Sequence, residues 1–103
     1  MAYVRVSIMT PVGGQDAEVR RLLDELVKLY QGRPGFITAY RLSPDPHAGT
    51  TRMGRISVWE SEEAAHRTAS EERDIAFQSQ LKALVRGSTH EEYSFIGVQP
   101  GGG

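Results

Sequence analysis

Apolar and polar residues alternate from Tyr3 to Thr10, with Val4, Val6 and Ile8 on one side and Arg5, Ser7 and Met9 on the other. A period of two predicts a β-strand. Pro11 and Gly13-Gly14 end it, because proline lacks the N–H donor and glycine admits a turn. From about Asp16 to Gln31 the spacing changes to three and four. Val19, Leu22, Leu23, Leu26, Val27 and Tyr30 then share one face, and Arg20, Arg21, Asp24, Glu25 and Lys28 the other. This predicts an amphipathic helix, stopped by Gly32. Pro34-Gly35 turns the chain into a second strand, Phe36 to Leu42, apolar on both faces: Phe36, Tyr40 and Leu42 point one way, Ile37 and Ala39 the other. Two prolines and a glycine make 43–49 a loop. The third strand, Met53 to Glu60, sets Gly54, Ile56 and Val58 against Met53, Arg55, Ser57 and Trp59.

Ser61 is the N-cap of a second helix, Glu62 to about Ala69, because its hydroxyl accepts from an orphan backbone N–H. Glu62 and Glu63 occupy the first turn, where the helix dipole favours carboxylates. Ser70 caps a further helix to about Arg86, with Ile75, Phe77, Leu81, Leu84 and Val85 as its apolar positions and a less regular stripe than the first. Gly87 closes it. His90 to Val98 is the fourth strand, with Tyr93 and Phe95 on one face and Ile96 and Val98 opposing.

The order is strand, helix, strand, strand, helix, strand. It predicts an α+β, ferredoxin-like βαββαβ fold, a four-stranded antiparallel sheet with the helices on one face. One domain covers 1–99, and Pro100 with three glycines forms a tail over 100–103. The helix-free face is the difficulty. Strands one, two and three carry apolar residues at both parities, whereas a sheet with one wet face alternates cleanly. No strands remain to build a second layer, so a second copy packed sheet on sheet is expected.

Composition narrows the function classes. The 103 residues include 39% hydrophobic and 24% charged positions, with a net charge of -1. The arginines are scattered, so the basic footprint of a nucleic-acid binder is absent. There is no cysteine, which excludes disulfides, thiolate chemistry and cysteine-ligated metals. No apolar run reaches the roughly 20 residues of a membrane helix, and the N-terminus lacks a signal-peptide layout. A cytoplasmic protein is the expectation. The three histidines, His47, His66 and His90, fit no metal-ligand spacing, so no metal is expected. Glu91 and Glu92 are adjacent in a strand and point to opposite faces, so they cannot act together on one substrate. Gly13-Gly14 is a turn, and no phosphate-binding glycine pattern occurs.

Three stretches together resemble one known family. They are Pro34-Gly35-Phe36 entering strand two, Ser57-Val58-Trp59-Glu60-Ser61 leaving strand three, and Glu62-Glu63-Ala64-Ala65-His66 opening the helix. The chain resembles the antibiotic biosynthesis monooxygenases over about Val4 to Val98. The resemblance implies a dimeric α+β barrel, in which two chains pack through their sheet faces. Family members include cofactor-free oxygenases that turn anthrones into quinones, haem degraders, and proteins that process small signalling molecules. In the quinone-forming members a tryptophan at the position of Trp59 and an asparagine one strand-turn earlier contact the substrate. That asparagine position falls on Arg55, and the chain has no asparagine at all. Arginine supplies a cation where the family has an amide donor, and so suits a phenolate, enolate or carboxylate. The haem degraders use an asparagine on strand one, here Ser7, and a helix histidine whose position falls near Ala76 or Phe77. Haem degradation is therefore the third choice.

Arg55, Trp59 and His66 are the candidate catalytic residues. Arg55 has an alternative as a structural ion pair with Glu60 or a helix carboxylate. Trp59 has an alternative as core, since a buried tryptophan needs only one partner for its N–H. His66 is the obvious base by type, although an exposed helix histidine is commonly inert. Ser7, Met9, Tyr40 and Phe77 are the candidate substrate-binding residues, with Leu23 or Val27 from the first helix and Leu81 from the last. Together they predict a mostly apolar cavity between sheet and helices, suited to a flat aromatic. The expected function is a monooxygenase that oxidises a small electron-rich aromatic (a phenol, hydroquinone or anthrone) with O2 and needs no cofactor. The alternatives are a non-catalytic small-molecule-binding homodimer, or an isomerase-like enzyme with His66 or His90 as the base.

Overall fold

A computed structural model describes residues 1–101; Gly102 and Gly103 of the predicted tail lie outside the described residues. The strands are β1 (Ala2–Met9), β2 (Phe36–Leu42), β3 (Met53–Trp59) and β4 (Glu91–Gly97). The helices are α1 (Asp16–Tyr30), α2 (Glu62–Ala69) and α3 (Glu72–Leu84), so the second helical segment is broken in two. Every strand pairing is antiparallel and the sheet order is β2-β3-β1-β4. This is the ferredoxin-like α+β fold read from the sequence.

The capping chemistry follows the sequence at α2 and departs from it at α3. Ser61 is extended and its Oγ accepts from Ala64 N–H at 3.1 Å. Ser70, in contrast, donates its hydroxyl back to the His66 carbonyl and finishes α2. α3 starts without a side-chain cap, and Glu71 at that position pairs instead with Arg33 at 2.9 Å. Two glycines serve the turn before β2, Gly32 with φ +78° and Gly35 with φ +80°. Gly35 also faces Ala64 so closely that a Cβ there would lie 2.5 Å from the Ala64 Cβ.

Register sets which residues share a face, because directly opposed residues project to the same side. On the helix side Tyr3, Trp59 and Phe36 form one row, and Arg5, Ser57 and Ala39 the next. Ser7, Arg55 and Arg41 form the third, with Glu92 beside Ser7, and Met9 with Met53 closes the set. Two polar rows are thus bracketed by apolar ones. Val19, Leu22, Leu23, Leu26 and Tyr30 of α1 pack on this side with Met9, Met53 and Trp59, all of them buried. Each fully buried leucine contributes about 1.5–3 kcal/mol relative to exposure.

The other side of the sheet has no helix. Its rows are Phe95, Val4, Val58, Thr38 and Tyr93, Val6, Ile56, Tyr40. Tyr40, Phe95 and Tyr93 are 63%, 54% and 45% exposed. Ile75, predicted to join the apolar stripe of α3, is also exposed, and Asp74 beside it is buried. No helix among the described residues is long and apolar enough to cross a membrane.

Candidate functional site

A cavity of about 440 Å³ lies between the helix layer and the two polar rows of the sheet. Its floor is Arg5 and Ser7 of β1, Arg55, Ser57 and Trp59 of β3, and Glu92 and Ser94 of β4. Its roof is Tyr30 at the end of α1, Ala65, His66 and Ala69 of α2, Ser70 after it, and Asp74 and Gln78 of α3. The lining is largely polar, unlike the apolar cavity expected from the sequence. The reason is the bracketing: the apolar helix-facing residues are spent on the end rows, which seal the layer.

The structure brings Ser7, Arg55, Trp59 and His66 together around this space. It does not bring Met9, Tyr40 or Phe77 there. Met9 has the correct parity but stands in the sealing row opposite Met53 and is fully buried. Tyr40 projects from the helix-free face. A bulge between Phe36 and Thr38 places one extra residue there, so Phe36 faces the helices and Tyr40 and Leu42 face away. Phe77 packs against the core while Arg73 lies over its ring at 5.9 Å from the centroid. Leu23 and Leu81 are core as well. Tyr30, Arg5, Asp74, Gln78 and Glu92 also line the cavity, and none of them is among the site residues expected from the sequence.

Trp59 is held rigidly. Its Nε1–H donates to Ser57 Oγ at 3.0 Å, and Tyr30 and Phe36 meet it edge-on at 5.3 Å each. With its only donor engaged and 1% of its surface exposed, Trp59 is a wall of the cavity. Arg55 donates from Nε to Tyr30 Oη at 3.0 Å, in place of the ion pair that was its structural alternative. Arg41, in the same row, is engaged outward by Asp24 at 2.7 Å. Arg5 and Arg55 have no carboxylate within ion-pair distance among the described residues. Ser7 donates to Glu92 Oε1 at 3.4 Å. His66 is exposed, at the rim.

Asp74 is the anomaly of the site. It is 1% exposed, and Gln78 Nε2 donates to its Oδ1, but Oδ2 has no partner among the described residues. Burial pushes its carboxyl above the ordinary aspartate range, against the hydrogen bond from Gln78 and the attraction of Arg55 and Arg5. Burial likewise raises the Tyr30 phenol, opposed by Arg55. Among the described residues no group of three or more His, Cys, Asp or Glu side chains is placed to hold a metal. Chemically, the cavity offers two cations and the Glu92 carboxylate on the floor, the Asp74 carboxylate in the roof and an aromatic end wall.

Comparison with solved structures identifies the architecture. SnoaB from Streptomyces nogalater, a cofactor-independent oxygenase, superposes with a TM-score of 0.78 at 20% identity, covering 99% of this chain and 98% of that one. Rv0793 from Mycobacterium tuberculosis gives 0.83 at 11% identity, covering 98% and 99%. A candidate antibiotic biosynthesis monooxygenase from Nitrosomonas europaea gives 0.83 at 11% identity, covering 98% and 94%. No protein-family model matches the chain, and no curated protein matches it. The chain therefore has the α+β fold of the antibiotic biosynthesis monooxygenases.

Proposed function

We propose that this chain is a cofactor-independent monooxygenase that oxidises a small electron-rich aromatic, of phenol, hydroquinone or anthrone type, with O2 in the cavity between its sheet and its helices. The observation that carries the reading is the pair of guanidinium groups, Arg5 and Arg55, with no ion pair among the described residues and lining one cavity with Trp59. An electron-rich aromatic reacts with O2 once it is an anion, because the anion gives up an electron readily. Cations placed where that charge develops stabilise it most in a cavity shielded from water. Arg55 is the stronger stabiliser, since the Tyr30 hydroxyl fixes its guanidinium. Trp59 is a flat wall for the ring. The electron comes from the substrate, so the reading needs no flavin and no metal. The fold shared with SnoaB supports this class of chemistry.

The working unit in this proposal is a homodimer joined through the helix-free sheet face. Its two rows of valine, isoleucine, tyrosine and phenylalanine form an exposed apolar surface of the kind that marks interfaces. Each copy keeps its own cavity, on the opposite side of its sheet.

Oxygen uptake with a simple hydroxyanthrone tests the function. Uptake should scale with protein, and Arg55→Ala should lower the turnover rate by about 10²–10³-fold, as loss of an oxyanion donor does. Trp59→Phe should lower it less, and chiefly through KM. A folded protein that binds the anthrone but leaves it unchanged would replace this reading with a non-catalytic binding role, which the full packing of Trp59 also suits.

A further inference from the structure

We propose that Asp74 is the general base of this cavity, taking the proton from the acidic C–H or O–H of a bound aromatic ketone or phenol. The inference rests on the reading of the cavity as an oxidation site, and it adds the group that makes the substrate an anion. Three observations carry it. Asp74 lines the cavity from α3 and is 1% exposed, with no donor to Oδ2 among the described residues. Its one hydrogen bond comes from Gln78, a turn further along the same helix, so the carboxylate ties no elements together. Arg5 and Arg55, neither in an ion pair among the described residues, lie on the sheet across the cavity from it. A buried carboxylate with no cross-element partner is a stability cost without a structural return, and such groups concentrate at working sites.

The arrangement separates proton from charge. A flat substrate between sheet and helices loses its proton towards Asp74 in the roof. The electron pair of the broken C–H bond flows to the ring oxygen over Arg55 and Arg5 in the floor. The carbanion then gives one electron to O2, the radical pair joins, and a C–O bond forms. Asp74 returns its proton to the peroxide. Removal of the second C–H proton with cleavage of the O–O bond leaves the quinone carbonyl and water. One O2 is consumed, one oxygen atom ends in the product, and the other in water. Burial raises the affinity of Asp74 for the proton, which strengthens it as a base.

The test needs no oxygen. Anthrone in D2O under anaerobic conditions exchanges its methylene protons only if something removes them, and NMR follows the loss of signal. The wild type should accelerate exchange over the spontaneous background. Asp74→Asn keeps the shape and should lower the protein-catalysed rate by about 10²–10⁴-fold, the usual contribution of a general base. Asp74→Glu should recover part of it. The exchange rate of the wild type should rise through one acidic ionisation and level off, and Asp74→Asn should lose that limb. Tyr30 of α1, Arg5 of β1, Arg55 of β3, His66 of α2 and Glu92 of β4 also line this space, Glu71 before α3 acts on Asp74 by its charge, and all remain in the variant. Loss of the limb therefore assigns it to Asp74. Wild-type exchange no faster than background, or equal exchange in wild type and Asp74→Asn, overturns the proposal. Exchange without oxygen uptake in air would overturn the oxygenase reading and leave the base in place.

Discussion

Replacing Asp74 by asparagine should make the protein more stable at neutral pH. Asp74 is 1% exposed, one carboxylate oxygen accepts from Gln78, and the other has no donor among the described residues. A buried polar group left unsatisfied costs about 1–3 kcal/mol, and more when charged. Arg55 and Arg5 offset part of this from across the cavity, without reaching ion-pair contact. Asparagine keeps the acceptor for Gln78 and removes the charge. A net gain of about 1 kcal/mol corresponds to about 4–8 °C in Tm for a domain of this size.

The pH dependence gives the sign. The unfolded carboxyl titrates near its reference value of 3.8, and the folded one above it. Between the two, the folded state binds more protons than the unfolded state, so stability falls as pH rises through that window. Above the folded value the full cost is present; below 3.8 both states are neutral and the cost is gone. The gain from Asp74→Asn should therefore be largest near neutrality and shrink towards zero in acid. Glu18 and Glu91 are held below the usual range, by Arg21 and by Tyr93 with Arg52 respectively. Both titrate alike in the two proteins and cancel in the difference. Thermal unfolding by circular dichroism, at one protein concentration from about pH 3 to 8, measures it. A variant less stable than wild type at neutral pH, or a difference that does not change with pH, would refute the reasoning.

Other predictions follow from single contacts. Gly32→Ala and Gly35→Ala both put a side chain at positive φ, but only position 35 meets an atom, the Ala64 Cβ at 2.5 Å. Gly35→Ala should therefore lower Tm clearly more than Gly32→Ala, and equal losses in a melting comparison would contradict the contact. Ser61→Ala removes the cap on Ala64 N–H and should cost about 0.5–2 kcal/mol in denaturant unfolding. Phe95→Glu puts a charge in the helix-free face and should convert the proposed dimer to monomer in light scattering, leaving the helical content unchanged. A wild type already monomeric at micromolar concentration would remove that interface.

The elements were legible in the sequence because each rests on a local period. β1 and β3 each keep a period of two through their middles, α1 has an unbroken stripe, and Ser61 followed by two glutamates announces α2. The parity of Arg55, Ser57 and Trp59 was therefore readable, and it places them on the helix side. Register was not readable, and register separates a cavity from a seal. Ser7 and Met9 share a parity in β1, yet Ser7 lies opposite Arg55 in a polar row and Met9 opposite Met53 in an apolar one. The bulge after Phe36 has no glycine or proline to mark it, so the alternation of β2 was carried one residue too far and Tyr40 fell on the wrong face. Asp74 did leave a trace, the irregular stripe of α3. Counting back from the buried Leu81 in steps of three and four leads through Phe77 and Gln78 to a carboxylate at a buried position. A stripe interrupted in this way reads as a poor helix only if every inward position must be apolar. Read as a stripe with one ionisable member, it points to the cavity, because such a group is kept on an inward face where other polar groups meet it. The polar interruptions in β1, β3 and α3 are thus one feature seen three times, and register and packing bring them to the same place.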